Sequence, residues 1–371
     1  MALPLLPPTA KKPIILAELS RCALCHRLPA KEPGHPCICQ KTPQTNPPDP
    51  SIPTFLPTPD APLLTMIMIM LNRLTAFLRL IRFSHTVFAL PFALIAACLA
   101  ANAGQAGLPT TGKLVLVVAA MAFARSAAMG FNRIVDLRFD ALNPRTNRRE
   151  LVTGQILRPQ AIAFTATAAL LFLATTTLFY LPIGPCFGYG NPYPLLLAAP
   201  VLAFLCAYSY TKRFTWACHF WLGASLMLAP LAAWIAVAPP QGPFLAPAPL
   251  VLAGAVLFWV AGFDIIYATQ DVHFDRQHHL CSVPANLGLP TARLLCRTCH
   301  SLTLAALLLL PFVAPLGRLY LAGVTLTALL LITEHILVAK NRLQLAFNLN
   351  GPISLLLAAA ALADILLHNH P

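Results

Sequence analysis

Asn132, Asp136 and Asp140 stand four residues apart at the end of a long apolar run, in Asn132-Arg-Ile-Val-Asp136-Leu-Arg-Phe-Asp140. On a helix each is rotated only about 40° from the last, so all three share one face. Two carboxylates at this spacing repel by roughly 0.2–0.5 kcal/mol, and a charge buried in a bilayer costs about 2.5–3.5 kcal/mol more. A bound cation offsets both costs. The stretch therefore reads first as half of a metal site.

A second copy lies 135 residues further on, where Tyr267, Asp271 and Asp275 repeat the spacing at the end of another apolar run. Eight acidic residues follow position 65, and five of them, counting Asp264, fall in these two stretches; Glu150, Glu334 and Asp364 are the rest. Such matched clustering points to one bipartite site. Mg²⁺ prefers octahedral oxygen and binds through one or two carboxylates plus substrate phosphates. Two facing clusters suit a diphosphate whose negative charge grows as it leaves. Arg145, Arg149, Lys212 and Arg213 fall on the same side of the chain's predicted topology, with Arg fitted to bidentate phosphate contacts and Lys acting as a point charge. Asn132 offers an amide to a phosphate or a metal-bound water. The plain alternative is a solvated loop in which each acid pairs with a neighbour, Asp136 with Arg133 or Arg138.

The elements that must position these groups are predicted to be membrane helices. Of 371 residues 58% are hydrophobic and only 10% charged, with mean hydropathy +0.71, whereas soluble domains are about a quarter charged. The net charge of +13 is assigned to loops and phosphate contacts. No basic patch interleaves with aromatics, so nucleic acid is not an expected partner. Nine apolar runs of spanning or near-spanning length are expected near 85–104, 113–132, 160–182, 194–210, 217–238, 248–268, 298–316, 319–338 and 351–367. An amphipathic basic helix lying on the lipid surface precedes them over 71–82. The predicted fold is thus an all-α integral-membrane bundle of nine helices with both Asp-rich motifs at one end. Segment 133–158 holds six Arg, and 212–213, 276–297 and 340–342 are basic too, while 183–193 and 239–247 hold no Lys or Arg. The positive-inside rule then turns both motifs to the cytoplasmic side of the cell (inner) membrane.

Residues 1–65 are Pro-rich without helical or strand period and are expected to be a disordered extension, or an upstream region read through before a start at Met66, Met68 or Met70; residues 66–371 form the membrane domain. Within the extension, Cys22, Cys25, His26, His35, Cys37 and Cys39 have some resemblance to a zinc knuckle. Cys98, Cys206 and Cys218 fall inside apolar runs and read as small hydrophobes. Cys296-Arg-Thr-Cys299-His300 matches the c-type haem attachment string, but the charge rule places it on the wrong side for attachment. Glu334 and His335 read as an intramembrane polar pair, Asn350 as a cap or cavity residue, and His273, His278 and His279 as loop decoration. His85 is a candidate for the acceptor's carboxylate or for a helix-end hydrogen bond.

Together the two motifs resemble the UbiA superfamily of membrane prenyltransferases, which is marked by N-x-x-x-D-x-x-x-D after the second span and D-x-x-x-D after the sixth. The flanking Asn-Pro-Arg145-Thr and Tyr267-Ala-x-Gln-Asp271 match as well, and the likeness covers about residues 71–367. Arg82-Phe-Ser-His-Thr-Val-Phe-Ala-Leu-Pro-Phe and Tyr208-Ser-Tyr-Thr-Lys212-Arg213 resemble the branch that prenylates 4-hydroxybenzoate, and more closely its relatives acting on a dihydroxynaphthoate in the futalosine route to menaquinone. The resemblance implies transfer of a polyprenyl group from polyprenyl diphosphate to an aromatic acid, in a lipid-embedded site. It implies Mg²⁺ held by Asp136, Asp140, Asp271 and Asp275. Substrate contacts are implied for Arg82, Asn132, Arg145, Arg149, Lys212, Arg213 and Tyr267, and a catalytic role for Asp271 or Asp264. A secondary transporter with intramembrane carboxylates is the alternative class, although its sites sit near the midplane on broken helices.

Overall fold

The computed structural model describes residues 63–80, 88–104, 107–181, 184, 190–238 and 246–368. Arg82, His85 and the Cys22–Cys39 cluster lie outside the described residues. Everything described belongs to one unit, Pro59–Pro371, and among the described residues every regular element is helical.

The elements run α1 Leu63–Leu80, α2 Leu90–Ala103, α3 Thr111–Val135, α4 Leu137–Leu142, α5 Arg158–Thr177, α6 Tyr193–Thr211 and α7 Cys218–Val237. They continue α8 Pro247–Ala268, α9 Val272–Gln277, α10 Val283–Leu309, α11 Arg318–Ala339, α12 Leu343–Asn348 and α13 Asn350–His368. The surface helix expected from 71 begins earlier, at Leu63, inside the last residues assigned to the extension.

Among the described residues eight segments are long and apolar enough to cross a membrane, so the chain is a multi-pass membrane protein. The first expected span, 85–104, is described from residue 88 onward, and its helix α2 has 14 residues. Ala93, Ile95, Ala96, Ala97 and Ala100 expose nothing, because small side chains let it pack closely on α7 and α13.

α8 is the axis of the bundle. It is apolar all round, as a helix enclosed by others must be, and it packs between α7 and α10. Trp259, Leu252 and Ile265 are fully buried along it. α3 packs on α5 and α6, and α11 on α13. Outward-facing Leu170, Leu308, Leu329 and Ile332 are exposed, as lipid-facing residues are. Close approach of α7 to α8 depends on Gly223, where an added Cβ would lie 2.3 Å from the Leu257 carbonyl oxygen. Backbone cannot yield as a side-chain tip can, so Gly223→Val is expected to force the helices apart at a cost of about 1–3 kcal/mol. A lowered thermal midpoint in detergent checks this; an unchanged midpoint would contradict the close approach.

Candidate active site

The two acidic motifs do not sit on straight helices. α3 stops at Val135, and Asp136 takes φ −90°, ψ 3° before α4 resumes at Leu137. The second motif does the same: α8 passes through a 3-10 turn, Thr269–Asp271, and Asp271 takes φ −103°, ψ 6° before α9. Both middle acids therefore occupy the bridge region, where many active-site residues sit. The shared face survives the first bend because Asp136 N–H still donates to Asn132 O (2.9 Å) and Asp140 N–H to Asp136 O (2.8 Å).

The motifs meet across a polar cavity of about 190 Å³ whose walls include Asn132, Asp136, Asp140, Arg145, Arg149, Lys212, Arg213, Asp264, Tyr267, Asp271 and Asp275. All the expected site residues that fall among the described residues are brought together there. Each motif carboxylate holds a cation of this chain. Arg149 Nη1 donates to both oxygens of Asp140 (2.5 and 2.6 Å), and Lys212 Nζ to both oxygens of Asp275 (2.9 and 3.0 Å). Arg213 Nη2 reaches Asp136 Oδ1 at 3.3 Å. Arg145 grips Asp271 with two nitrogens, Nε to Oδ1 at 2.8 Å and Nη2 to Oδ2. Its third nitrogen donates to Tyr267 OH at 2.9 Å.

These pairings correct the local alternative for Asp136, in which Arg133 or Arg138 would satisfy it. Arg133 is buried and donates Nε to the Leu80 carbonyl (3.2 Å). Asp136 takes its partners from α3 and from beyond α6, with Asn132 Nδ2 donating at 2.8 Å. The pairs also cross between motifs, since Arg145 follows the first and Asp271 belongs to the second.

Burial and the nearby Asp140 charge hold the Asp136 carboxyl above the usual carboxylate range, with Arg213 and Asn132 opposing them. Burial pulls Lys212 down, but the Asp275 carboxylate outweighs it and the ammonium stays protonated above its ordinary value. Arg145 is likewise held up by Asp271 against burial. The four motif carboxylates and four cationic side chains thus share a confined volume, an arrangement suited to a polyanion and a cation rather than a neutral ligand.

Several participants carried no sequence pattern. Asn143 bridges the motifs: its Nδ2 donates to Asp271 Oδ1 (3.1 Å) while its Oδ1 accepts from Arg145 N–H (2.9 Å). Ser282 caps α10 and donates to Asp275 Oδ2 (2.9 Å). His219, buried at the start of α7, lies 2.7 Å through Nδ1 from Asp264 Oδ2, and its Nε2 accepts from Val283 N–H (3.2 Å). The second bond leaves the imidazole proton on Nδ1, donated to Asp264. A lone His in an apolar run has no spacing to betray it, though the Asn-Pro-Arg string did flag the Asn143 loop.

A second cavity, about 340 Å³ and almost wholly apolar, runs between α3, α5, α6 and α7. Asn132 and Tyr208 line the polar cavity too, so the two cavities adjoin there. Along α3 it reaches from Asn132 to Val117, about 22 Å at 1.5 Å per residue.

A charged chamber beside a long apolar one, in a multi-pass helical membrane protein, suits a ligand with an anionic head and an apolar tail. Residues 89–359 match the UbiA prenyltransferase family model, and the chain belongs to that family. It is 32% identical over 195 residues to a mitochondrial 4-hydroxybenzoate polyprenyltransferase of Caenorhabditis elegans, covering 53% of this chain and half the length of that relative. It is 27% identical over 266 residues to a 4-hydroxybenzoate octaprenyltransferase of Nitrosomonas eutropha, covering 70% of this chain and 87% of that protein. Among solved structures, a UbiA homolog from Aeropyrum pernix superposes with TM-score 0.68 at 32% identity, covering 76% of this chain and 98% of that one. A homolog from Archaeoglobus fulgidus, solved with GPP and Mg²⁺, shares the fold at 20% identity and TM-score 0.54, covering 78% and 99%.

Proposed function

We propose that this chain transfers a polyprenyl group from its diphosphate to the ring of an aromatic acid, 4-hydroxybenzoate or a dihydroxynaphthoate, in ubiquinone or menaquinone biosynthesis. One observation carries the proposal: the charged cavity adjoins a long apolar one at Asn132 and Tyr208, which line both. A diphosphate head among the Arg and Lys side chains leaves its isoprenoid tail pointing into apolar space of the right kind. The basic loops favour a site open to the cytoplasmic face of the inner membrane.

The donor set fits Mg²⁺. It consists of hard carboxylate oxygens with amides beside them, and among the described residues no three of these acids converge into a closed cage. That suits an ion completed by substrate phosphate oxygens and water. Asp136 and Asp140 on one side, and Asp271 and Asp275 on the other, would hold it. When bound, it would neutralise the leaving diphosphate. Arg145, Arg149, Lys212 and Arg213 would swing from their carboxylates to phosphate oxygens, exchanging one anion for another without stranding a charge. Asp264 is the better placed proton acceptor. Both Asp271 oxygens are occupied by Arg145 and Asn143, whereas Asp264 spends one oxygen on His219 and lines the chamber. Arg82 remains a further candidate for substrate contact from its sequence context.

Membranes carrying the chain, given labelled polyprenyl diphosphate with 4-hydroxybenzoate or 1,4-dihydroxy-6-naphthoate, are expected to yield a prenylated ring product. Chelation should reduce turnover at least ~100-fold and added Mg²⁺ restore it, since such ions supply several kcal/mol of charge stabilisation. Product formed equally well in chelator would reject the Mg²⁺ assignment. No product with any acceptor would reject the activity.

A further inference from the structure

The haem-like string in α10 places its side chains away from the prenyl site. Cys296 and His300 are one helical turn apart and face α11, where His335 completes a cluster; one ligand atom from each lies within 4.8 Å of the others. Cys296 and His300 are buried and His335 half-buried. His300 Nδ1 is 3.1 Å from His335 Nε2. Two imidazole nitrogens bound tetrahedrally at about 2.0–2.1 Å from zinc stand about 3.3 Å apart by trigonometry, so the pair already has metal-ligand separation. The position of His300 is fixed by Gly262 of α8: an added Cβ there would lie 2.5 Å from its ring atoms Cδ2 and Nε2.

Glu334, next to His335 on α11, is fully buried. It accepts one bond, from Asn350 Nδ2 at 3.4 Å, while its Oε2 has no partner. The polar pair expected in this span makes interhelix hydrogen bonds, Glu334 to Asn350 of α13 and His335 to His300 of α10. A buried carboxyl oxygen without a partner is costly. Arg297, the cation adjoining His335, is exposed.

We propose that Cys296, His300 and His335 form a zinc site between α10 and α11. Sulfur with two imidazoles selects a borderline ion of the zinc class over Mg²⁺. Three protein ligands leave a fourth position for water. Binding releases the Cys296 thiol proton to solvent, and half-buried His335 is the side from which the ion enters. The site is separate from the prenyl chamber, sharing none of its lining residues.

The test uses full-length chain without a polyhistidine tag, in which Cys22, Cys25, Cys37 and Cys39 are replaced by Ser. After chelation and loading with Co²⁺ in detergent, it is expected to bind one cobalt per chain with a thiolate-to-cobalt charge-transfer band, displaced by Zn²⁺. Cys296→Ser or His335→Asn should abolish the band, and Cys299→Ser, whose sulfur is outside the cluster, should keep it. Absence of the band in the four-Ser chain, or its persistence in Cys296→Ser, would overturn the proposal. Neither reading depends on prenyl transfer, so failure here leaves the proposed activity intact, and failure of that activity leaves this site standing.

Discussion

Asp271→Asn is expected to lower kcat/KM for prenyl transfer by about 10³-fold or more, with expression and membrane insertion unchanged. The argument starts from what Asp271 holds. It fixes Arg145 through two nitrogens and receives Asn143, so one carboxylate ties the first motif's loop to the second motif. An amide keeps the volume but presents one oxygen and one NH₂ where two oxygens stood, turning a donor group toward a guanidinium. Arg145 would lose its bidentate partner and the proposed metal one of its charges. Electrostatic groups aimed at developing charge are worth about 3–4 kcal/mol each, and this substitution disturbs two. The measurement is steady-state transfer over a range of Mg²⁺, with helical content and thermal midpoint recorded in parallel. Turnover within about tenfold of the parent, with fold intact, would remove Asp271 from the site. Recovery at high Mg²⁺ would show that its service is metal affinity rather than proton transfer, leaving that task to Asp264.

How far the sequence carried this site depends on the kind of information each part requires. The 4, 4 spacing of Asn132, Asp136 and Asp140, and its echo at 267, 271 and 275, is written in the chain because a helix converts spacing directly into a shared face. The spans were legible for the same reason: hydropathy along a helix needs no tertiary knowledge. What required the third dimension was pairing. Arg145 meets Asp271 across 126 residues and Lys212 meets Asp275 across 63, and nearest-neighbour reasoning instead offered Arg133, which folding buries against Leu80. The bends at Asp136 and Asp271 were also hidden, since neither motif carries a Gly or Pro to announce them. The first expected span coincides with α2 over its described part, and Pro91 sits in the first turn of that helix, where a proline is best tolerated.

The apolar cavity yields the sharpest test of substrate length. Ala120 lines it on α3, three turns from Asn132, or about 18 Å along the axis. Ala120→Trp would close the far part and leave the charged chamber untouched. A donor long enough to pass Ala120 then has to strand isoprene units that formerly lay in apolar space. Each buried CH₂ is worth about 0.8 kcal/mol, so losing one five-carbon unit forfeits roughly 3–4 kcal/mol, a factor of ~10²–10³ in kcat/KM. Donors short enough to end before Ala120 should change by less than ~3-fold, because their diphosphate contacts and near tail are unaffected. Competition between a geranyl and a long polyprenyl diphosphate at one acceptor concentration reads this ratio directly and cancels differences in expression. If both donors fall together, the substitution has distorted the α3–α5 packing and the experiment is repeated at Val117, at the cavity's far end. If neither falls at either position, the isoprenoid tail runs elsewhere, and the adjoining of the two cavities at Asn132 and Tyr208 no longer carries the assignment.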